Sequence, residues 1–161
     1  KSFIYLSVFA LIFALSLVSI QDAHAISGTI SDQTSCETIS LAVWSTSPNT
    51  CTLSGNPSVD PGEILTIDTG ITLTISSSSA LFVSGGTIIN NGNIIIDPTG
   101  QLNMSFVIST GTILNSVGST ITNSGDIYNV SGELDNLGGT ILNSGNIINT
   151  STIQNSSGGI I

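Results

Sequence analysis

The chain has 161 residues, with a single Lys or Arg, ten Asp or Glu and a formal net charge of −9 at neutral pH. Cationic side chains neutralise phosphates and anionic headgroups, so this composition excludes nucleic acid as a partner and disfavours anionic membrane surfaces. Abundant Ile, Leu and Val with a positive mean hydropathy argue for a buried core and against disorder, despite the low aromatic content.

Lys1 precedes an apolar run from Phe3 to Ile20, and the small-residue site Ala23-His24-Ala25 closes it. That is the layout of a secretory signal peptide, so residues 1–25 are expected to be a leader cut before Ile26, with the mature chain extracellular or at the cell surface. The run is eighteen residues, near the shortest that spans a bilayer, and an uncleaved anchor is the alternative. Cleavage leaves residues 26–161 with no Lys, Arg or His at all. The chain starts on Lys and stops at Ile160-Ile161 inside a repeat with no polar capping coil, which reads as a fragment of a longer protein. Exposed coil ends of that kind favour end-to-end self-association.

Residues 26–60 contain the only two cysteines, Cys36 and Cys51. In an exported chain these are expected to form one disulfide, worth about 3 kcal/mol in the chain-entropy model. The expectation is a small disulfide-stapled N-terminal cap, with Trp44 covering the apolar end of the coil stack. A redox or metal pair is the weaker reading, because there is no CxxC spacing and no third thiol.

After Pro61-Gly62 come short runs read as strands: Ile64 to Ile67, Ile71 to Ile75, Leu81 to Val83, Thr87 to Asn90 and Asn93 to Ile96. In Ile71-Thr72-Leu73-Thr74-Ile75 the period is two, which puts aliphatics on one face and threonines on the other. Asp68-Thr69-Gly70, Ser84-Gly85-Gly86, Asn91-Gly92 and Asp97-Pro98-Thr99-Gly100 supply the turns.

From Gly111 one phrase, Gly/Ser-x-Ile/Leu-x-Asn, recurs. It begins at Gly111, Ser119, Gly125, Gly132, Gly139, Gly145 and Ser151, with an outlier at Gly86. Such a unit cannot bury its face alone and must stack, so residues 61–161 read as an all-β parallel β-helix, that is, a β-solenoid. Within the phrase Gly, Ile and Asn point inward. The Asn residues 90, 115, 123, 129, 136, 143, 149 and 155 are expected to stack as a structural ladder at the corners. A three-sided coil of about twenty residues is favoured, but the recurrence of GTILNS at 111 and 139 equally fits a two-sided coil of about fourteen. The irregular spacing favours a right-handed helix, whereas the six-residue steps near the end suit a left-handed one.

Chemistry-bearing groups are few. Glu133 and Asp135 share one strand face, where two carboxylates can in principle hydrolyse a glycoside, but a solvated outer face is the plainer account. Asp126, Glu133 and Asp135 offer oxygens to a surface Ca²⁺, against which the Gly-Gly-x-Gly-x-Asp pattern is absent. No metal or cofactor is expected, and no enzymatic activity. Leu114, Tyr128 and Leu142 would align into an apolar stripe only in a two-sided coil. Thr-x-Thr at 72/74, 110/112 and 120/122 gives too few pairs in register for an ice-binding ladder. Glycosylation patterns begin at Asn103, Asn129, Asn149 and Asn155, of which the last three are expected to stay unmodified because they face inward.

The stretch Pro61 to Ile75 and the Gly-Thr-Ile-x-Asn run resemble the opening coils of secreted parallel β-helix proteins of the adhesin and autotransporter-passenger type. With Cys36, Trp44 and Thr50-Cys51-Thr52, the chain most resembles exported Asn/Gly/Thr/Ile-repeat proteins of archaea, including ammonia-oxidising ones. The resemblance implies a structural or adhesive role at the cell surface, with cell-surface polysaccharide or other surface proteins as partners, and supplies no catalytic residues. The alternative is the scaffold of a β-helix carbohydrate-active protein whose active site lies elsewhere.

Overall fold

The structure is a computed structural model that describes residues 24–104 and 110–161. The expected leader falls almost wholly outside the described residues. Chain order begins with β1 (Gly28–Ile30), the short helix α1 (Gln33–Glu37), β2 (Ala42–Thr46), β3 (Asn49–Leu53) and β4 (Ser58–Val59). The next coil is β5 (Ile64–Ile67), β6 (Thr72–Ile75) and β7 (Ala80–Val83), followed by β8 (Thr87–Asn90), β9 (Asn93–Ile96) and β10 (Gln101–Asn103). Then come β11 (Thr112–Asn115), β12 (Thr120–Asn123) and β13 (Asp126–Asn129). The last elements are β14 (Glu133–Leu137), β15 (Thr140–Asn143), β16 (Asn146–Asn149) and β17 (Thr152–Ser156).

Every third strand from β5 onward joins the same parallel sheet. Face I runs β1-β5-β8-β11-β14-β17, face II β2-β3-β6-β9-β12-β15 and face III β4-β7-β10-β13-β16. The chain is therefore a parallel β-solenoid with three sides, and the two-sided alternative falls. Coil length varies: along face I, Leu65 lies under Ile88, Ile88 under Ile113, Ile113 under Leu134 and Leu134 under Ile153, steps of 23, 25, 21 and 19 residues. Corner length absorbs that variation while the strands keep their register.

The inward positions form one continuous core, from Ile30 through Leu65, Leu73 and Leu81 to Ile113, Ile121 and Ile127. The period of two is visible in the burial of Thr112 to Asn115, where Ile113 and Asn115 are buried and Thr112 and Leu114 half-exposed. Gly opens the phrase because the coils touch there: a Cβ on Gly132 would stand 2.6 Å from the carbonyl oxygen of Gly111. At corners the demand differs. In Asp97-Pro98-Thr99-Gly100 it is Thr99 that takes the left-handed conformation (φ 67°), while Gly100 is needed for close approach to the Ile75 carbonyl.

The segment 26–60 is more solenoid than expected. β1, β3 and β4 already lie in faces I, II and III, and only β2 and α1 fall outside the parallel stack. β2 pairs antiparallel with β3, the sole antiparallel pairing among the described strands. Cys36 on α1 and Cys51 on β3 form the disulfide, with their Cα atoms 5.6 Å apart. Trp44 lies opposite Cys51 and packs on the core from β2. Asp32 caps α1 by accepting from the Ser35 backbone N–H at 2.8 Å, and this bond holds its carboxyl below the usual aspartate range. Ahead of β1, the Ile26 N–H donates to the Ser58 carbonyl and the Ser58 N–H to the His24 carbonyl, so residues around the expected cleavage point pair with β4.

Candidate functional site

All eight stacked asparagines lie at corners in three ladders. After face I, Asn90 Nδ2 donates to Asn115 Oδ1, Asn115 to Asn136 and Asn136 to Asn155, each at 2.8 Å. After face II, Asn123 donates to Asn143 at 2.7 Å, and after face III, Asn129 donates to Asn149 at 2.8 Å. Each amide also donates to a corner carbonyl: Asn115 to Thr140 O, Asn123 to Asn146 O, Asn129 to Thr152 O. The ladders thus satisfy both the amides and the bend carbonyls that a tight corner would otherwise leave buried and unpaired. Asn129 is fully buried with both amide hydrogens engaged, which leaves no room for a glycan there.

Each ladder has a foot. The Oδ1 atoms of Asn90, Asn123 and Asn129 are buried without a partner. Beneath Asn90 lies Ile67 and beneath Asn123 lies Ile96, apolar residues at the equivalent position of the coil below. These are junctions where an apolar column becomes a polar one.

The carboxylates do not gather into one site. Asp126 is on face III and Glu133 with Asp135 on face I, so the three cannot share a cation, and no group of metal-ligating side chains occurs among the described residues. Asp126 instead accepts from Asn146 Nδ2 at 2.8 Å and from the Tyr128 hydroxyl at 3.3 Å, and its charge raises the Tyr128 phenol above its ordinary value. Glu133 accepts from Gln154 Nε2. Burial, then the Glu133 charge, push the Asp135 carboxyl above the usual aspartate range. Its row neighbours are Leu114 below and Gln154 above. Glu133 is engaged by Gln154, and Asp135 Oδ1 is buried without a hydrogen-bond partner among the described residues.

Leu114, Tyr128 and Leu142 fall on faces I, III and II respectively, and no apolar stripe forms. Face II holds a pattern that the spacing concealed. Its outward positions form two rows across the sheet: Ser45, Thr50, Thr72, Asn93, Thr120, Thr140, and Val43, Thr52, Thr74, Ile95, Thr122, Leu142. Three Thr-x-Thr pairs and Thr140 are therefore in register, against the expectation of too few. On face III the outward row Phe82, Asn103, Tyr128 sets an amide between two aromatic rings. A concavity of about 390 Å³ opens at the end of face II, where Ile160 pairs in parallel with Thr140, and is lined by Thr122, Ile141, Leu142, Ile160 and Ile161.

Fold and faces together define a three-sided parallel β-solenoid with Asn-laddered corners. No protein-family model, curated protein or solved structure matches this sequence.

Proposed function

We propose that the chain is an exported, non-catalytic β-solenoid that acts as a rigid spacer or adhesin-like rod at the cell surface. The observation that carries this reading is the continuity of three parallel sheets around one core, fixed at all three corners by Asn ladders. Such stacking resists bending because each coil is hydrogen-bonded to the next on every side. The disulfide and the Lys- and Arg-free composition beyond residue 25 fit an oxidising, extracellular setting. In this reading α1, β2 and the Cys36–Cys51 bond cap the first coil, and surface polysaccharide or other surface proteins are the partners.

A second reading, the scaffold of a carbohydrate-binding or carbohydrate-active protein, is supported by the placing of two aromatic residues, Phe82 and Tyr128, in one outward row of face III, because sugar rings stack on aromatic groups. Fractionation of cells that produce the chain, with N-terminal sequencing of the recovered protein, tests the first. The rod proposal expects a surface-bound or released form that starts at Ile26 and carries an oxidised Cys36–Cys51 pair. An unprocessed, reduced, intracellular form would refute it.

A further inference from the structure

We propose that face II binds the surface of an ice crystal. The inference names a ligand for one side of the rod and rests on the proposed function only in placing the chain in the external medium.

Four features of face II point the same way. First, it has no ionisable side chain on either outward row, whereas face I carries Glu133 and Asp135 and face III carries Asp126. A fixed charge holds its own hydration shell, so a charge-free face suits an uncharged partner. Second, the chemistry is ordered by row. One row is β-branched from Val43 through Thr52, Thr74 and Ile95 to Thr122 and ends on Leu142. The other, from Ser45 to Thr140, carries an uncharged hydrogen-bonding group at every position.

Third, the array has two fixed repeats, about 4.8 Å between strands and about 6.7 Å between alternate residues of a strand. Both lie close to the principal oxygen repeats on a prism face of hexagonal ice, so hydroxyls and methyls can sit against one lattice over many contacts. The hydroxyls of Thr50, Thr52, Thr72, Thr74, Thr120, Thr122 and Thr140 take no partner among the described residues. Fourth, the array is preorganised. Thr is stiff at χ1, β3, β6, β9 and β12 each have a strand on both sides, and Asn ladders fix the corners of the later coils, so little ordering is left to be lost on binding.

Crystalline polysaccharide is the competing occupant of a regularly repeating face. It is disfavoured because sugar rings stack on aromatic groups, and face II shows none outward: Trp44, its only aromatic, packs on the core.

The test is slow growth of an ice hemisphere in a solution of the purified, fluorescently labelled full-length chain, with incorporation into the ice measured against the liquid. Thr74→Tyr and Thr122→Tyr alter face II, Thr66→Tyr and Thr112→Tyr alter face I, and circular dichroism melting reports folding of each. The proposal expects the wild type to enter the ice and to slow recrystallisation, face II variants to lose incorporation by about tenfold or more, and face I variants to retain it. Thr74→Lys and Thr122→Lys, which place a flexible hydrated charge on the same face, replace any tyrosine variant that does not fold. Exclusion of the folded wild type from ice overturns the proposal, as does equal loss from both faces. Exclusion from ice with face-II-dependent sedimentation on cellulose or chitin assigns the face to polysaccharide instead and also overturns it. None of these failures touches the rod, which cell fractionation tests.

Discussion

Asn90 Nδ2 donates to Asn115 Oδ1 at 2.8 Å, while the Oδ1 of Asn90 itself is buried above Ile67 with nothing to accept from. Two asparagines of one ladder, one coil apart, therefore differ in what their removal costs.

Asn115 accepts from Asn90 and from the Ser119 hydroxyl, and donates to Asn136 and the Thr140 carbonyl. Asn115→Leu strands partners above and below, each at about 1–3 kcal/mol, and is expected to destabilise by about 3 kcal/mol or more. Asn90→Leu removes an orphaned oxygen and extends the apolar column of Ile67, while Ser119 still satisfies Asn115. It should cost about 1 kcal/mol. Denaturant unfolding of the two variants checks the order.

Asp135 predicts a pH effect. Its carboxyl is raised in the folded chain, so folding favours the protonated form, and this group's contribution to stability declines as pH rises from the unfolded aspartate value of about 3.9 toward the folded one. Asp135→Asn should flatten that decline and stabilise at neutral pH by roughly half a kcal/mol, a small gain because the half-exposed site is screened by solvent. Asp32, with its carboxyl lowered, works in the opposite sense, and Asp32→Ala should lose its effect as pH falls through the folded value. Thermal melts from pH 3 to 7 separate the two.

Ser78 occupies the left-handed region at φ 64° at the corner between faces II and III. A Cβ there is strained by about 1–2 kcal/mol, part of which glycine's greater unfolded entropy offsets. Ser78→Gly is expected to raise stability by about 0.5–1 kcal/mol, measured by unfolding midpoint.

Gly132→Ala would push a methyl to 2.6 Å from the Gly111 carbonyl oxygen and 2.9 Å from Met104 Cβ. Coil separation would have to increase locally, at a cost of about 2 kcal/mol. The outward change Thr112→Ala is the control and should be near neutral. Melting temperatures of the two decide the matter.

The solenoid and the inward set Gly, Ile, Asn were legible because a period of two needs no knowledge of the coil. The number of sides was legible only as a preference for three over two, since corners of differing length break any constant step. Thr50, Thr72, Asn93, Thr120 and Thr140 stack in one row although separated by 22, 21, 27 and 20 residues. Face II is hidden in the sequence for that reason, and because Thr50-Cys51-Thr52 reads as part of a cap rather than of the first coil. The phrase also continues upstream in disguise: Gly92-Asn93-Ile94-Ile95-Ile96 and Gly100-Gln101-Leu102-Asn103-Met104 have an apolar residue where Asn is expected. Those substitutions mark the feet of two ladders, a signal available in the sequence once Ile96 is aligned with Asn123 and Met104 with Asn129.

The stacking of three-sided coils into a rigid rod is tested most directly by the distance between nitroxide labels at positions 50 and 140, measured by pulsed electron paramagnetic resonance with the Cys36–Cys51 bond intact. The two positions lie four strands apart on face II, so the account predicts one narrow distribution centred near 19 Å, at about 4.8 Å per coil. A distribution centred near 30 Å, as two-sided coils of about fourteen residues would give, or one broad enough to span both values, would contradict it.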